Sequence, residues 1–389
     1  MSSEKTYTCA LTARGMAAIS SVALAGPGAL GILDTVFQSG TNTAKRSLTV
    51  PPGEILHGSI VDDHRVIDEV VVGCEGTDVF IIHCHGNPLL VEQIILLLQS
   101  HGAELIDANR FALAGYQQTT KNAIEAEARL AMQKSATLSG VKILQAQING
   151  GLSQWAQNTL DTIESLDTEE IKRQCREILQ QGLIAQRIIE GVKIIIAGPP
   201  NSGKSTLLNC LAGQQQVIVS DTAGTTRDWV SATGYLDSST LRAEFIDTAG
   251  LDDALADADS IEHIAQERTQ ALLESCDLIL FVQDITEVRS RESGIRSPSD
   301  TPIIEVHNKY DLLNARDSGL TSLTISAKNN EGIDLLVQKI IEQLGIADFN
   351  MANPAVFTQR QRDLLLAIIN SNQPPKKRLF KLLCSKDGQ

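Results

Sequence analysis

Aromatic residues are scarce: 2 Trp, 4 Tyr and 8 Phe in 389 residues. Cores must therefore be aliphatic, and runs of Ile, Leu, Val and Ala supply them within a chain that is 42% apolar. Positive charge is short too. Lys and Arg number 33 against 47 Asp and Glu, a net charge of −14. That argues against a chain that grips nucleic acid by itself, because such binding draws on clustered cations. Lys376-Lys377-Arg378 is the one tight basic cluster, and it reads as a solvated helix end. The 7 cysteines are scattered, with no C-x-x-C pair, which excludes a disulfide framework and fits a reducing cytoplasm. His83-Cys84-His85 puts two imidazoles on one strand face. No second ligand pair follows at zinc-like spacing, so the metal reading is weak. No apolar run is long enough to span a membrane. Residues 15–33 imitate a signal-peptide core, but Gly26-Pro27-Gly28 interrupts them. A buried strand, a turn and a helix are expected there instead.

At this length two or three domains are expected. Residues 1–112 mix short apolar strands (Glu69–Cys74, Val79–His83) with a strong helix, Pro88–His101, and read as a small α/β domain. Ser39–Pro52 is polar and loop-like. Residues 113–190 have a helical pattern. One helix is expected over Ala123–Gly140, a second over Ile143–Leu166 and a third over Thr168–Glu190. At 191 the texture changes. Val192–Ala197 is a continuous apolar run, as in a buried parallel strand. Ala243–Ile246, Leu278–Val282, Ile303–Val306 and Leu323–Ile325 follow, alternating with helices that end at Gly332–Gly345. Residues 191–348 thus read as a doubly wound α/β domain. Residues 349–389 return to helical pattern. The simplest arrangement inserts the α/β domain between two parts of a helical domain. Arg289–Asp300 is expected to be a surface loop.

Gly198-Pro-Pro-Asn-Ser-Gly203-Lys204-Ser205 matches G-x-x-x-x-G-K-[ST] between a strand and a helix, the context this phosphate loop requires. Its backbone N–H groups, those of Asn201, Ser202, Gly203 and Thr206 included, and the helix N-terminus favour phosphate. Lys204 is expected at the β- and γ-phosphates and Ser205 at Mg²⁺. Asp247-Thr248-Ala249-Gly250 closes a later strand. Asp247 is expected to hold Mg²⁺ through water, and the Gly250 N–H to meet the γ-phosphate. The next residue, Leu251, cannot hydrogen-bond an attacking water. Asn308-Lys309-Tyr310-Asp311 ends another strand. Asp311 can accept from guanine N1–H and N2–H₂, a pair adenine does not offer. Asn308 can face guanine N7 or brace the loop. Ser326-Ala327-Lys328 offers a backbone N–H for guanine O6. Together, in this order on successive strand ends, these motifs indicate GTP or GDP as ligand and a GTP-hydrolysing enzyme.

Asp221-Thr222-Ala223-Gly224-Thr225-Thr226-Arg227-Asp228, together with Asn201, resembles the switch region of potassium-stimulated bacterial GTPases. Val79–Pro88, Ile124–Ser153 and Thr358–Leu364 narrow the resemblance to the MnmE (TrmE) family of tRNA-modification GTPases, over most of the chain. That family also has Leu after the glycine. The resemblance implies K⁺ in place of an arginine finger, held by Asn201, Ser220, Thr222 and Thr225. It implies Mg²⁺ on Ser205 and Thr226, and Glu262 in Ile261-Glu262-His263-Ile264 orienting the water. It also implies a homodimer built by the N-terminal domain, a flavoprotein partner, tRNA reached through that complex, and modification of the wobble uridine with a formyl-tetrahydrofolate.

The folate contacts of the family are not matched. Ala23 stands where an Arg is expected and Thr77 where a Glu is expected. The P-G-E-F segment before Arg110-Phe111 is absent, and Ser-Lys-Asp-Gly-Gln follows Cys384 where the family ends in Cys-Ile-Gly-Lys. A tRNA-modifying GTPase with altered folate contacts is thus one reading, and a GTP-driven switch that acts through partner binding is another. A ribosome-assembly GTPase of the Era-like group is a third, without a visible appended RNA-binding domain to support it.

Overall fold

A computed structural model describes residues 5–40, 51–213, 230–236, 240–247, 276–286, 301–313 and 323–384. By contacts the chain divides into two units, Met1–Lys121 and Asn122–Gln389.

The first unit is one sheet with helices on its faces. Its strands are β1 (Tyr7–Ala10), β2 (Ile19–Ala25), β3 (Phe37–Ser39), β4 (Ile55–Asp62), β5 (Arg65–Gly76), β6 (Val79–His85) and β7 (Glu104–Leu105), in the order β3-β4-β5-β6-β2-β1-β7. Helices α1 (Ala29–Val36) and α2 (Pro88–Ser100) cover one face, where Leu24, Leu33, Phe80, Ile82, Ile94 and Leu98 are buried. Helix α3 (Ala108–Thr119) lies on the other, with Phe111 against Tyr7, Cys9, Ala23, Ile81 and Ile106. The strand, turn and helix expected over residues 15–33 are β2, Gly26–Gly28 and α1. Asn87 starts α2, accepting from the Leu89 N–H with Pro88 in the first turn.

The second unit opens with α4 (Ala123–Met132), α5 (Leu138–Asn149), α6 (Gly151–Asp161) and α7 (Thr168–Glu190). The single helix expected over Ala123–Gly140 is broken. Thr137 caps α5 by accepting from Gly140 N–H, and its hydroxyl donates to the Ile188 carbonyl, 2.9 Å each. A capping side chain fixed by a distant helix overrides local helical preference. Ile143–Leu166 is likewise two helices, parted at Gly150. There the Gln147 carboxamide oxygen takes the Leu152 N–H at 2.9 Å. Helix α7 has the expected bounds. Asp167 caps it, Glu169 and Glu170 sit in its first turn and Arg187 in its last, which suits the helix dipole at both ends.

Past Gly191 comes the central sheet: β8 (Val192–Ala197), β9 (Val230–Leu236), β10 (Leu241–Asp247), β11 (Leu278–Asp284) and β12 (Ile303–Asn308), in the order β12-β11-β8-β10-β9. All neighbours are parallel except β9 and β10. The short strand expected at Leu323–Ile325 is only a bridge, Thr324 to His307. Helices α8 (Lys204–Gly213) and α9 (Ile333–Gln343) flank the sheet, and α10 (Gln359–Ile369) and α11 (Lys376–Leu383) follow it. Ile124, Leu152, Ile171 and Ile178 share one apolar cluster with Val356, Leu365, Leu379 and Leu382, so helices before and after the sheet close a common core. Ile143, Leu144, Ala185 and Ile188 instead join the sheet's core. Ser39–Pro52 lies largely, and Arg289–Asp300 wholly, outside the described residues.

Candidate nucleotide site

The site lies at the carboxyl ends of β8, β10, β11 and β12, the edge of a parallel sheet where ligands of this architecture bind. Between β8 and α8 the chain turns through Gly198 (φ +146°), Asn201 (φ +63°) and Gly203 (φ +92°). A β-carbon on Gly198 would meet the Val282 carbonyl at 2.0 Å, and one on Gly203 would meet Asn308 Nδ2 at 2.3 Å. Both positions therefore require glycine for space as well as for conformation.

Lys204 is 5% exposed, and its Nζ donates to the Gly198 and Pro199 carbonyls at 2.7 and 3.1 Å. The ammonium is thus held inside the loop whose N–H groups would face phosphate. Asp247 ends β10 beside Ile196 of β8. Its Oδ2 accepts from the Ser205 hydroxyl at 2.6 Å. These two oxygen ligands suit a hard cation that keeps water and phosphate as its other ligands. No group of three or more His, Cys, Asp or Glu among the described residues could hold a metal. His83 and His85 have separate partners, the Ser21 hydroxyl at 2.9 Å and Asp68 at 2.7 Å.

On the base side, Asn308 braces the loops. Its Nδ2 donates to the Ser202 carbonyl (2.9 Å), and its Oδ1 accepts from the Ala327 N–H (3.0 Å). Asp311 Oδ1 accepts from the fully buried Ser326 hydroxyl at 2.6 Å, which orients the carboxylate. Lys328 and Thr206 are exposed. Lys309 adopts φ +68° and reaches Asp284 Oδ2 at 2.7 Å. Asp284 Oδ1 accepts from Thr286 N–H and hydroxyl at 2.9 and 2.7 Å. Burial pushes the Asp284 carboxyl up. The Lys309 ammonium and the Thr286 donors outweigh it and hold the group below its ordinary value. Sequence reasoning missed Asp284 and Thr286. The available signal was an acid closing an apolar strand, and its meaning depends on the register that sets Asp284 opposite Asn308.

Of the residues singled out from sequence, Asn201–Thr206, Asp247, Asn308, Lys309, Asp311 and Ser326–Lys328 are brought to this edge. Residues 220–226, 248–251 and Glu262 lie outside the described residues. No described helix is long and apolar enough to cross a membrane.

A family profile described as "50S ribosome-binding GTPase" matches residues 193–309. The chain is 31% identical over 387 residues to the tRNA modification GTPase MnmE of Bordetella parapertussis, covering 91% of this chain and 84% of that one. It is 30% identical over 376 residues to the protein of the same name from Enterococcus faecalis, covering 85% and 79%. For the Cytophaga hutchinsonii protein of that name the identity is 29% over 421 residues, covering 97% and 87%. Such coverage extends well beyond the phosphate loop, through the helices on either side of the sheet, and the chain belongs to the tRNA modification GTPase MnmE family, as a GTP hydrolase.

Proposed function

We propose that the chain is a potassium-stimulated GTPase acting in wobble-uridine modification of tRNA in the cytoplasm. The observation that carries the nucleotide chemistry is the Asn308 amide, which ties the phosphate loop to the base-side loops and makes one rigid cradle. The tRNA role rests on the family, whose relatives carry tRNA modification in their names.

In this reading Lys204 and the loop N–H groups bind the phosphates, and Asp311 reads the guanine edge. Ser205, Asp247 and Thr226 would hold Mg²⁺, which screens the phosphate charge. Asn201, at the exposed tip of the loop, would hold K⁺ with Ser220, Thr222 and Thr225, adding positive charge where it grows in the transition state. Glu262 would orient the attacking water that Leu251 cannot. Two protomers would pair, with GTP drawing their GTPase parts together, and act with a flavoprotein partner that presents tRNA. Turnover should be faster in potassium than in sodium salts at equal ionic strength; equal rates would reject the cation assignment. Wobble-uridine analysis of tRNA from a strain lacking the chain tests the second half, and normal modification there would reject it.

One observation favours a second reading, a GTP-driven switch without folate chemistry. Ala23, where an Arg is expected, is fully buried against Tyr7, Cys9, Ile81 and Ile106. Burial also pushes the Cys9 thiol up to about 11. The apolar cluster around Ala23 does not supply the cation expected at that position. Titrating the full chain with formyl-tetrahydrofolate separates the two readings.

A further inference from the structure

We propose that helix α11 is an RNA-contact surface: Phe380 stacks on an unpaired base while Lys376 and Lys377 hold the adjoining phosphates. The inference deepens the tRNA half of the proposed function, in which a partner presents the tRNA, by giving this chain a contact of its own.

Charge is unevenly spread along this acidic chain. From Leu364 to Cys384 there is no Asp or Glu, while Lys376, Lys377, Arg378 and Lys381 all fall within α11. The cluster expected to be a solvated helix end is the wall of a cleft. Leu160, Gln373, Pro374, Lys376, Lys377 and Phe380 line about 500 Å³ between α11 and the end of α6. Phe380 is 51% exposed. Lys376 and Lys377 lie four and three residues before it, one turn away on the same side of the helix. The inner side is taken: Leu379 and Leu382 are fully buried and Leu383 nearly so, in the cluster shared with Leu152. Arg360 donates to the Lys381 and Leu382 carbonyls at 2.7 and 3.2 Å, which fixes the last turn of α11. Lys376 comes within 3.9 Å of Glu164, but with side chains 65% and 92% exposed the pair is too solvated to neutralise the lysine.

An exposed ring with cations one turn away is the pattern of a single-strand stacking platform. Ammonium groups take phosphate as point charges without reading sequence, and the ring accepts any base face. The wobble base sits in an unpaired loop, where both groups find partners. A membrane surface fits less well. An amphipathic helix binds lipid through its apolar side, and the leucines of α11 are already packed in the core. An acidic protein segment would match the lysines and leave the bare ring unexplained. A net charge of −14 repels RNA from the rest of the chain. The contact is therefore local and its affinity modest, on the order of 10⁻⁵ M at physiological salt.

The test is fluorescence anisotropy of a labelled anticodon stem-loop RNA, titrated with the full chain saturated with GDP, between about 50 and 200 mM potassium chloride. Phe380→Ala should weaken binding about tenfold, within the range of one lost base stack. Lys376→Gln combined with Lys377→Gln should weaken it too, and should flatten the slope of log affinity against log salt by about 1.4, as for two lost phosphate contacts. Phe380→Trp should bind at least as tightly as wild type. GTP hydrolysis and melting temperature should stay at wild-type values, because none of the three residues lines the nucleotide site. Should Phe380→Ala melt low, Phe380→Leu replaces it, which keeps apolar packing and removes the ring. Four results would overturn the proposal: no binding by the wild type, full binding without the ring, an unchanged salt slope in the lysine variant, or a fully paired duplex of equal length bound as tightly as the stem-loop. Polyglutamate or phosphatidylserine vesicles that displace the RNA at equal charge would point to an acidic protein or a membrane and reject RNA. Normal wobble-uridine modification in a strain lacking the chain would reject the tRNA role and leave these titrations as they stand, so the two failures are separable.

Discussion

Asn308 uses both ends of its amide inside the protein, so its removal acts on the cradle rather than on the base. Asn308→Ala leaves the Ser202 carbonyl and the Ala327 N–H without this partner. At about 1–3 kcal/mol for each of the two buried unpaired groups, stability should fall by roughly 2–6 kcal/mol, and GDP affinity should fall with it. Urea melts and calorimetric titration check both; a variant that binds weakly at wild-type stability would contradict the bracing role. Asp284 gives a pH signature. Its carboxyl is lower in the folded chain than its ordinary value near 4. The stabilisation is therefore present above about pH 4 and is lost as pH falls through the depressed folded value. Melting temperatures from pH 6 downwards should drop more steeply for the wild type than for Asp284→Asn, and parallel curves would deny the effect. Lys204, Asp247 and Asp311 could be found from sequence because their types recur at fixed offsets beside strand ends. Asp284 and Thr286 could not, because the Asp284 contact to Lys309, which Thr286 orients through Asp284, joins the ends of two neighbouring strands and exists only in one register.

Among the elements, α7 matters most for coupling, since it runs straight into β8. At the junction Gly191 has φ +92°, and a β-carbon there would sit 2.9 Å from the Arg242 carbonyl. One turn earlier, Arg187 donates to the Leu344 carbonyl at 2.9 Å and to Asp277 Oδ1 at 3.3 Å. Asp277 Oδ2 in turn accepts from the Lys193 N–H at 3.0 Å. One guanidinium thus clasps the strand that leads to the phosphate loop, the base of β11 and the end of α9. Arg187→Ala should lower stability by about 1–2 kcal/mol, given two partly exposed bonds, and leave GDP affinity within about twofold of wild type. Hydrogen exchange at Lys193 N–H should quicken, and unchanged exchange there would show the clasp to be idle. The bounds of α7 were legible because cap, charges and glycine agree at both ends. The break between α4 and α5 was not, because helix-forming Ala, Glu, Leu and Gln dominate the sequence around Gln133–Thr137. Thr137 stops the helix only once Ile188, some fifty residues on, arrives beside it.

For the second unit as a whole, the return of the chain into the helices is fastened by two buried side chains. Gln147, fully buried, donates to the Met351 and Asn353 carbonyls and accepts from the Ala355 N–H. Glu127 pairs with Arg360 and accepts from Gln361 Nε2 at 2.7 Å. Glu127→Ala removes the carboxylate partner of Arg360, which is 35% exposed and still donates to the Lys381 and Leu382 carbonyls, so the loss should be about 1–3 kcal/mol, below the cost of breaking a fully buried pair. A chemical melt followed by helix signal should show that loss, while a drop below about 1 kcal/mol would mean that the pair is solvated. The insertion itself could be inferred from helical texture on both sides of the sheet. Its fastening could not, because Gln147 and Glu127 meet partners more than two hundred residues away. That separation bears on synthesis. The apolar faces of Ile124, Leu152, Ile171 and Ile178 await Val356, Leu365, Leu379 and Leu382. At ribosomal speed the wait is roughly ten seconds or more. A nascent chain of this protein thus carries a half-built bundle while the nucleotide-binding sheet is being made, and it becomes whole only when its last helix leaves the ribosome.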